Sequence, residues 1–393
     1  MNDLYFEKSY FCSESISHFS LNKLSDYISE KIVEAYHNAD HNSLVICDVI
    51  FVKQKIYIIG EIVSKTDIDI KKIVKDIINK YKVFNSSLAS IEYEIVINIK
   101  KLKEIKFNNY NTNDYSIVYG FAISESNEFM PIPYSISQKI SKCLSEYITN
   151  NNKIIKGFKN VKVIISQITN NNIKIDKIIF DLDYDMTFEN EIIIEILSED
   201  IIKKVVSHKY LDSNLKIFLC NSQHKNINYE FIRAINNNYI LIDSYGGNCS
   251  FTNKKIFGRS PLMIDKCGSF LARYIVKNIV ATGLIDKLEI QLIYSKYSSY
   301  PEEICINSFG KIFDSGSINS KDIIEMIKDL FPLSAIEICE YFKLNECSLS
   351  EFVNYGLFMN KNAPWEKLDK VNEIKKYFTN KKGIIFLPNK IRK

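Results

Sequence analysis

The chain has 393 residues, of which 46% are hydrophobic and 25% are charged, and this composition excludes disordered and fibrous proteins. The length indicates roughly two or three globular domains. Because there are 51 basic and 47 acidic residues, the net charge of +4 is too small to favour a dedicated nucleic-acid-binding protein.

The first predicted elements are two strands and a helix. Apolar residues dominate 44–51 and 56–62, and the polar residues 53–55 predict a turn between two strands. From Ile70 to Tyr81 apolar residues recur at helical spacing with lysines between them, which predicts an amphipathic helix.

A second unit with the same order of elements follows. Apolar residues at 161–168 and 173–182 predict strands on either side of an asparagine turn at 170–172. Residues 198–206 then predict a helix.

A third unit is predicted nearer the C-terminus. It contains a strand at 239–243, a helix at 265–282 that ends at Gly283, and a strand at 288–294. The repeated order indicates an α/β or α+β protein with an internal pseudo-repeat.

Loops and motifs add little to this description. Asparagine-rich stretches at 108–113, 150–152 and 226–238 predict loops or domain boundaries. The sequence contains neither Gly-x-Gly-x-x-Gly nor a Gly-Lys-Ser/Thr P-loop, so the common nucleotide-binding motifs are missing.

Hydropathy and cysteine usage favour a cytoplasmic protein. No apolar run approaches the ~20 residues that a membrane span needs, and the first residues do not resemble a secretory signal. The nine cysteines form no Cys-x-x-Cys pair. We therefore expect free thiols in a reducing compartment and no membrane partner.

Short motifs that occur in a fixed order along the chain are more informative. They are Phe-Cys-Ser-Glu-Ser-Ile-Ser at 11–17, Gly-Glu-Ile at 60–62, Tyr-Gly-Phe-Ala at 119–122, Met-Pro-Ile-Pro at 130–133, Asp-Ser-Tyr-Gly-Gly at 243–247, Ala-Arg-Tyr-Ile-Val-Lys-Asn-Ile-Val-Ala at 272–281, Ser-Phe-Gly at 308–310 and Pro-Trp-Glu-Lys at 364–367. In this order the motifs resemble those of the S-adenosylmethionine synthase (methionine adenosyltransferase) family over residues 11–370.

The resemblance implies a fold and an assembly. It implies three similar α/β domains related by an approximate threefold axis, for which we predict the bounds 9–104, 110–232 and 236–378, followed by a basic tail at 379–393. It also implies a dimer whose apolar sheet faces pack together, with active sites between the subunits. We therefore expect a homodimer, or a heteromer with an intact synthase.

The resemblance also implies the chemistry of the site. In the family, the methionine sulfur attacks C5′ of ATP and expels the triphosphate, which requires Mg²⁺ and cationic donors. The family's His-Pro-Asp-Lys falls on residues 20–23, so its His is replaced by Ser20. Its Mg²⁺-binding Asp is replaced by Asn22, a weaker ligand for a hard cation, whereas Lys23 is retained.

The other implied site residues are retained or conservatively replaced. Glu61 matches the Glu that binds the methionine amino group, and Asp114 matches an Asp that holds substrate. Asp48 replaces a K⁺-binding Glu, Arg259 replaces a phosphate-binding Lys, and Asp265 matches a Mg²⁺-binding Asp.

Two phosphate-binding segments of the family have changed. Pro-Asp-x-Lys-Ser-Gln becomes Lys-Gly-Phe-Lys-Asn-Val at 156–161, and a glycine-rich segment becomes 232–239 with the loss of an Asp, an Arg and a Lys. Because one lost donor costs ~10²–10³ in rate, these changes predict a catalytically impaired homologue that binds methionine, adenosine or S-adenosylmethionine, or that pairs with an intact synthase.

Two alternatives remain open. The first is an active, diverged synthase that uses Mg²⁺ and K⁺ and replaces the lost cations with Lys156, Lys159, Lys254 and Lys255. The second is an enzyme of changed adenosyl or amino-acid chemistry that uses the carboxylates at positions 61 and 114.

Overall fold

Three β-sheets, each covered by helices on one face, form the protein in the computed structural model. The structure describes residues 9–84, 92–102, 115–150, 154–169, 172–221, 232–252, 254–296, 298–310 and 318–386. The strands are β1 Ser9–Ile16, β2 Leu44–Val52, β3 Lys55–Val63, β4 Glu94–Leu102, β5 Ser116–Ile123, β6 Ile155–Thr169, β7 Asn172–Tyr184, β8 Lys216–Asn221, β9 Ile232–Ile235, β10 Lys287–Tyr294 and β11 Glu303–Asn307.

The helices alternate with single strands or groups of strands along most of the chain. They are α1 Leu21–Ala39, α2 Ile70–Phe84, α3 Ile132–Asn150, α4 Asn190–Ile196, α5 Lys203–Val205, α6 Ile240–Tyr245, α7 Ile264–Ala281, α8 Ser320–Leu330, α9 Ala335–Phe342 and α10 Val371–Lys382. A π-helical turn, Leu197–Ile202, joins α4 to α5.

The first sheet has the strand order β4-β3-β2-β9, with β3 and β4 parallel. Alternate residues of β2, such as Val45, Val49 and Phe51, are buried in one cluster with α1 and α2, because side chains alternate between the two faces of a strand. The opposite face, which we call the outer face, carries Ile46 and Ile59, which are 37% and 40% exposed.

The second sheet has the strand order β1-β6-β7-β8, with β7 and β8 parallel. One face packs on α3, where Ile140 and Leu144 join Val161 and Val163 of β6 in a buried cluster. The other face carries Phe218 of β8, a large apolar side chain that is 46% exposed.

The third sheet has the antiparallel order β11-β10-β5 and packs against α7. The close approach of α7 to β5 requires a glycine, because a Cβ at Gly120 would lie 2.1 Å from the Ala272 carbonyl oxygen. Arg273 of α7 is fully buried and donates to Glu366 Oε1 at 2.8 Å and to the Phe121 carbonyl at 2.8 Å. The 272–281 and 364–367 motifs therefore meet inside one core.

Strands pair across the predicted sequence ranges. The first strand, β1, lies in the range 9–104 but pairs with β6 of the second sheet, and β5, in the range 110–232, pairs with β10 of the third sheet. Strand β9, which begins at the last residue of 110–232, pairs with β2 of the first sheet. Each sheet thus receives a strand from another sequence unit, and the bounds themselves stay a prediction.

Several predicted elements are confirmed. These are the strands predicted at 44–51, 56–62, 161–168, 173–182 and 288–294 and the helices predicted at 70–81 and 265–282. The nine cysteines are free thiols, as expected.

One predicted strand is wrong. Residues 239–243 lie in and just before α6, where the Asp243 N–H donates to the Tyr239 carbonyl at 2.9 Å in a helical turn. A short apolar run does not distinguish strand from helix by periodicity, and here Gly246, with φ of 62°, ends the helix.

Other predicted boundaries shift. The helix predicted at 198–206 begins at Asn190, and α10 extends to Lys382, into the predicted tail 379–393. Of the predicted loops, 226–238 contains β9, whereas 108–113 and most of 150–152 lie outside the described residues.

Within the described ranges, no helix is long and apolar enough to cross a membrane.

Candidate functional site

The segment that matches the family's His-Pro-Asp-Lys forms the start of α1. Ser20 is the N-cap residue, and its hydroxyl accepts from the Lys23 N–H at 3.3 Å. Asn22 Oδ1 accepts from the Ile235 N–H and from Asn238 Nδ2, each at 3.3 Å. These contacts give Ser20 and Asn22 structural roles at the junction of α1 with β9.

Lys23 is buried rather than facing an open pocket. Its ammonium donates to Asp243 Oδ2 at 2.6 Å and to the Val353 carbonyl at 2.7 Å. Burial raises the pKa of Asp243, and the positive charge of Lys23 opposes that rise. The ammonium charge of Lys23, which the resemblance assigns to phosphate binding, is therefore balanced by the carboxylate of Asp243.

Two asparagines, Asn236 and Asn237, lie in the segment 232–239, to which the resemblance assigns a glycine-rich phosphate loop, and we call them the asparagine pair. Both are buried. Asn237 adopts a left-handed φ of 64°, and its Oδ1 accepts from the Ile256 and Phe257 N–H groups at 2.7 and 2.8 Å. Its own N–H donates to Asp26 Oδ1 at 2.5 Å.

The first member of the pair makes similar contacts with β2. Asn236 Nδ2 donates to the Cys47 and Phe257 carbonyls at 3.3 and 3.2 Å, and its Oδ1 accepts from the Val49 N–H at 3.3 Å. The pair thus joins α1, β2 and the segment 256–258, and its polar atoms bind the chain's own backbone.

Asp48 lies on the outer face of the first sheet between two cations. Its Oδ1 accepts from Arg259 Nη2 at 3.0 Å, and its Oδ2 lies 2.8 Å from Lys255 Nζ. Burial acts to raise the pKa of Asp48, but the hydrogen bonds and charges of Lys255 and Arg259 outweigh it and hold the pKa below 3.8.

Asp265 lies in the first turn of α7 and is almost fully buried. Its carboxylate accepts from the Ser116 hydroxyl, and Lys254 Nζ lies 3.6 Å from its Oδ2. Lys254 also donates to the Tyr115 carbonyl at 2.7 Å. The segment 254–259 therefore supplies a cation to each of the two carboxylates proposed as metal ligands.

Glu61 lies on the same outer face as Asp48. Its side chain is 56% exposed, and Lys100 Nζ approaches its Oε1 only to 3.6 Å. In the register of β2 and β3, Glu61 is opposite Ile46 and Asp48 is opposite Ile59. Asp114, the other predicted substrate ligand, lies outside the described residues.

The four lysines predicted as replacement cations lie in two places. Lys254 lies near Asp265, and Lys255 lies near Asp48. Lys156 instead lies 3.6 Å from Asp185, and Lys159 is exposed on β6 of the second sheet.

The Tyr-Gly-Gly motif packs inside the protein. Tyr134 donates to the Asp243 carbonyl at 2.8 Å, and a Cβ at Gly246 would lie 2.6 Å from the Tyr134 ring. The motif therefore has a packing role that does not depend on a ligand.

The residues do not fit the family's metal ions. Both oxygens of Asp48 are bound by cations, Asn22 is neutral and bound to backbone, and Lys254 approaches Asp265. Among the described residues, no three His, Cys, Asp or Glu side chains are grouped so that they could hold a metal ion. We therefore assign neither Mg²⁺ nor K⁺ to these positions.

Several residues of the site were not predicted from the sequence. They are the buried carboxylates Asp26 and Asp243 and the asparagine pair. The run of three asparagines at 236–238 was the available signal, since asparagine favours turns and tolerates a left-handed φ. The same composition also predicts a loop, as stated for 226–238, so the signal does not single out a site.

The chain was compared with known proteins. It matches the N-terminal, central and C-terminal domains of S-adenosylmethionine synthetase over residues 8–104, 109–225 and 235–367. It is 28% identical over 395 residues to the S-adenosylmethionine synthase of Clostridium tetani, covering 93% of this chain and 98% of that protein.

A solved structure has the same fold. An S-adenosylmethionine synthetase from Campylobacter jejuni, described as unusual, superposes with a TM-score of 0.83 at 22% identity, over 94% of this chain and 100% of that one. The three-domain architecture implied by the motifs is confirmed. The chain therefore belongs to the S-adenosylmethionine synthetase family.

Proposed function

We propose that this chain is a catalytically impaired S-adenosylmethionine synthetase homologue that retains binding of amino-acid or adenosyl ligands. The asparagine pair is the observation that carries the proposal. In place of a phosphate loop with an Asp, an Arg and a Lys, the chain has a buried segment whose side-chain amides bind its own backbone.

The distribution of charge supports the loss of triphosphate chemistry. A leaving triphosphate carries about four negative charges and requires preorganised cations near them. Lys23 is buried against Asp243, and Lys255 and Arg259 are bound to Asp48. To bind phosphate, each of these cations has to leave its carboxylate, so little of the stabilisation is preorganised.

The methionine end of the site is different. Glu61 is more than half exposed and only weakly paired, so its carboxylate is accessible to the α-amino group of a ligand. Such a charge-assisted contact contributes ~1.5–3 kcal/mol when a partner subunit excludes water from it. Methionine, adenosine and S-adenosylmethionine are therefore the ligands we propose.

The outer face of the first sheet suggests a partner. It presents Ile46 and Ile59 beside Glu61 and Asp48, and a soluble protein seldom leaves a contiguous apolar sheet face uncovered. We propose that a second copy of this chain, or an intact synthetase subunit, covers this face in the cytoplasm.

The test is an assay of the purified chain with methionine, ATP, Mg²⁺ and K⁺ that measures S-adenosylmethionine and phosphate. An intact synthetase serves as the positive control, and a mixture of both proteins tests pairing. We expect the chain alone to form product at less than ~10⁻² of the control rate. A rate within tenfold of the control contradicts impairment and favours an active, diverged synthase.

A further inference from the structure

Three oxygen atoms converge on the guanidinium of Arg259. Nη2 donates to Asp48 Oδ1 at 3.0 Å, and Nη1 donates to the Cys47 carbonyl at 3.2 Å and to the Gly258 carbonyl at 3.1 Å. The Arg259 side chain is 12% exposed. One carboxylate and two carbonyl oxygens around one centre are the kind of ligands that a hard metal cation takes in other proteins.

The backbone holds this guanidinium in place. The Cys47 N–H donates to the Gly258 carbonyl at 2.8 Å, and Ile46 pairs with Arg259 in a β-bridge. Gly258 has a φ of 76°, and a Cβ there would lie 2.0 Å from the Cys47 carbonyl oxygen. Only glycine fits this approach, so the segment that carries Arg259 is fixed against β2.

A second cation completes the arrangement. Lys255 Nζ lies 2.8 Å from Asp48 Oδ2, so each carboxylate oxygen has its own positive partner. In the part of the chain that the structure describes, Lys255 and Arg259 each form an ion pair with Asp48 and with no other carboxylate. The carboxylate is therefore neutralised by the chain itself.

We infer that Arg259 and Lys255 act as built-in cations in place of a bound monovalent metal ion at Asp48, so that the folded chain does not depend on K⁺. The guanidinium of Arg259 occupies the place among these oxygens that a metal ion would take, and a metal ion entering there meets the positive charges of Arg259 and Lys255. This inference concerns the folded chain and stands or fails independently of the proposed function.

The inference makes a positive prediction for a variant. Arg259→Ala removes the guanidinium but leaves Asp48 and the Cys47 and Gly258 carbonyls on the same backbone. We expect this substitution to create a site for K⁺. An ion that binds only the folded state stabilises that state, and the effect grows with the logarithm of the ion concentration above Kd. K⁺ should therefore raise the melting temperature of the variant.

The experiment is thermal unfolding of the full chain in KCl, NaCl or choline chloride at equal ionic strength. We expect the wild-type melting temperature to differ by less than about 1 °C among the salts, and that of Arg259→Ala to rise by about 3 °C or more in KCl relative to choline chloride. Lys254→Ala is the matched control, since it removes a neighbouring cation that pairs with Asp265 and should give no response specific to K⁺.

Two outcomes overturn the inference. One is saturable stabilisation of the wild-type chain by K⁺ over choline that Asp48→Asn removes. The other is a folded Arg259→Ala variant that does not respond to K⁺. Should Arg259→Ala fail to fold, Arg259→Gln takes its place, because it also removes the guanidinium from the oxygen cluster. A gain of K⁺ response in Arg259→Gln supports the inference, and its absence contradicts it.

Discussion

The ammonium of Lys23 lies 2.6 Å from Asp243 Oδ2, and both side chains are only 1% exposed. The pair joins the start of α1 to α6, two elements that are distant in the sequence. The resemblance assigns Lys23 to a catalytic motif, yet in this chain it neutralises a buried carboxylate. Retention of a motif residue therefore does not by itself indicate retained chemistry.

Breaking this pair should destabilise the protein strongly. Lys23→Met leaves the Asp243 carboxylate buried without a cation, and we expect the free energy of unfolding to fall by ~3–5 kcal/mol. Urea unfolding measures the loss. The double variant Lys23→Met, Asp243→Asn should lose less free energy of unfolding than Lys23→Met, because no buried charge remains at this pair. An equal loss in the two variants contradicts this account.

The asparagine pair should be equally important for stability. Asn237→Ala leaves backbone groups of Ile256 and Phe257 unpaired and places alanine at a left-handed φ, so we expect a loss of ~2–4 kcal/mol in urea unfolding. The neighbouring Asn238→Ala is the control. Asn238 is exposed, and its replacement should change stability by less than ~0.5 kcal/mol. Similar losses in both variants would show that position 237 is an ordinary loop residue.

The sequence predicted local structure better than it predicted the pairing of distant elements. Strands β2 and β3 were predictable because their apolar residues are continuous and a polar turn separates them. The pairing of β2 with β9 joins Ile50 to Ile235, and no periodicity indicates which distant strand completes a sheet. The exchange of strands among the three sheets therefore has no signal in the sequence.

The same limit applies to the site. The resemblance predicts site roles for Asp48, Arg259 and Asp265, but no sequence pattern indicates that Lys255 and Arg259 both contact Asp48. Charged residues are rarely buried, so the burial of Asp26 had no signal in composition or spacing. These are consequences of packing between segments about two hundred residues apart.

His37 should make the stability depend on pH. It is 3% exposed, and burial together with the charge of Lys266 lowers its pKa from 6.5 to about 4. Below pH 6.5 the unfolded chain binds a proton that the folded chain does not bind. The contribution of His37 is thus present above pH 6.5 and is lost as the pH falls to about 4.

The slope of this loss is at most ~1.4 kcal/mol per pH unit for one histidine. In His37→Gln the titrating group is absent, so the free energy of unfolding should fall less steeply between pH 6.5 and 4. Urea unfolding at several pH values measures the slope, with the exposed His41→Gln as the matched control. An unchanged slope in His37→Gln would contradict the assignment.

The outer face of the first sheet should mediate assembly. Ile59→Lys places a charge on this face where the side chain is 40% exposed, so the monomer should fold normally while association weakens. Sedimentation velocity at micromolar concentration should show a dimer for the wild type and a monomer for the variant. Leu368→Lys, at another exposed apolar position, should leave the dimer intact. A wild-type chain that is monomeric without a partner contradicts the proposed homodimer.

Ligand binding should favour the methionine end of the site over the triphosphate end. Glu61 is accessible to an α-amino group, whereas Lys23, Lys255 and Arg259 are bound to carboxylates. Calorimetry should therefore show that ATP with Mg²⁺ binds no more than ~2 kcal/mol more tightly than adenosine, because charges already paired add little.

Glu61→Gln tests the amino-acid end of the same site. It removes the carboxylate charge without changing the size of the side chain, and we expect the affinity for methionine or S-adenosylmethionine to fall by ~1.5–3 kcal/mol while adenosine binding is unchanged. Glu94→Gln is the matched control, since Glu94 is an exposed carboxylate of the same sheet that pairs with Lys55. Equal losses in the two variants would mean that Glu61 acts only through the general charge of the sheet. If ATP with Mg²⁺ binds much more tightly than adenosine, Lys254, Lys255 and Arg259 leave their carboxylates to bind phosphate. These three residues are then the first to mutate.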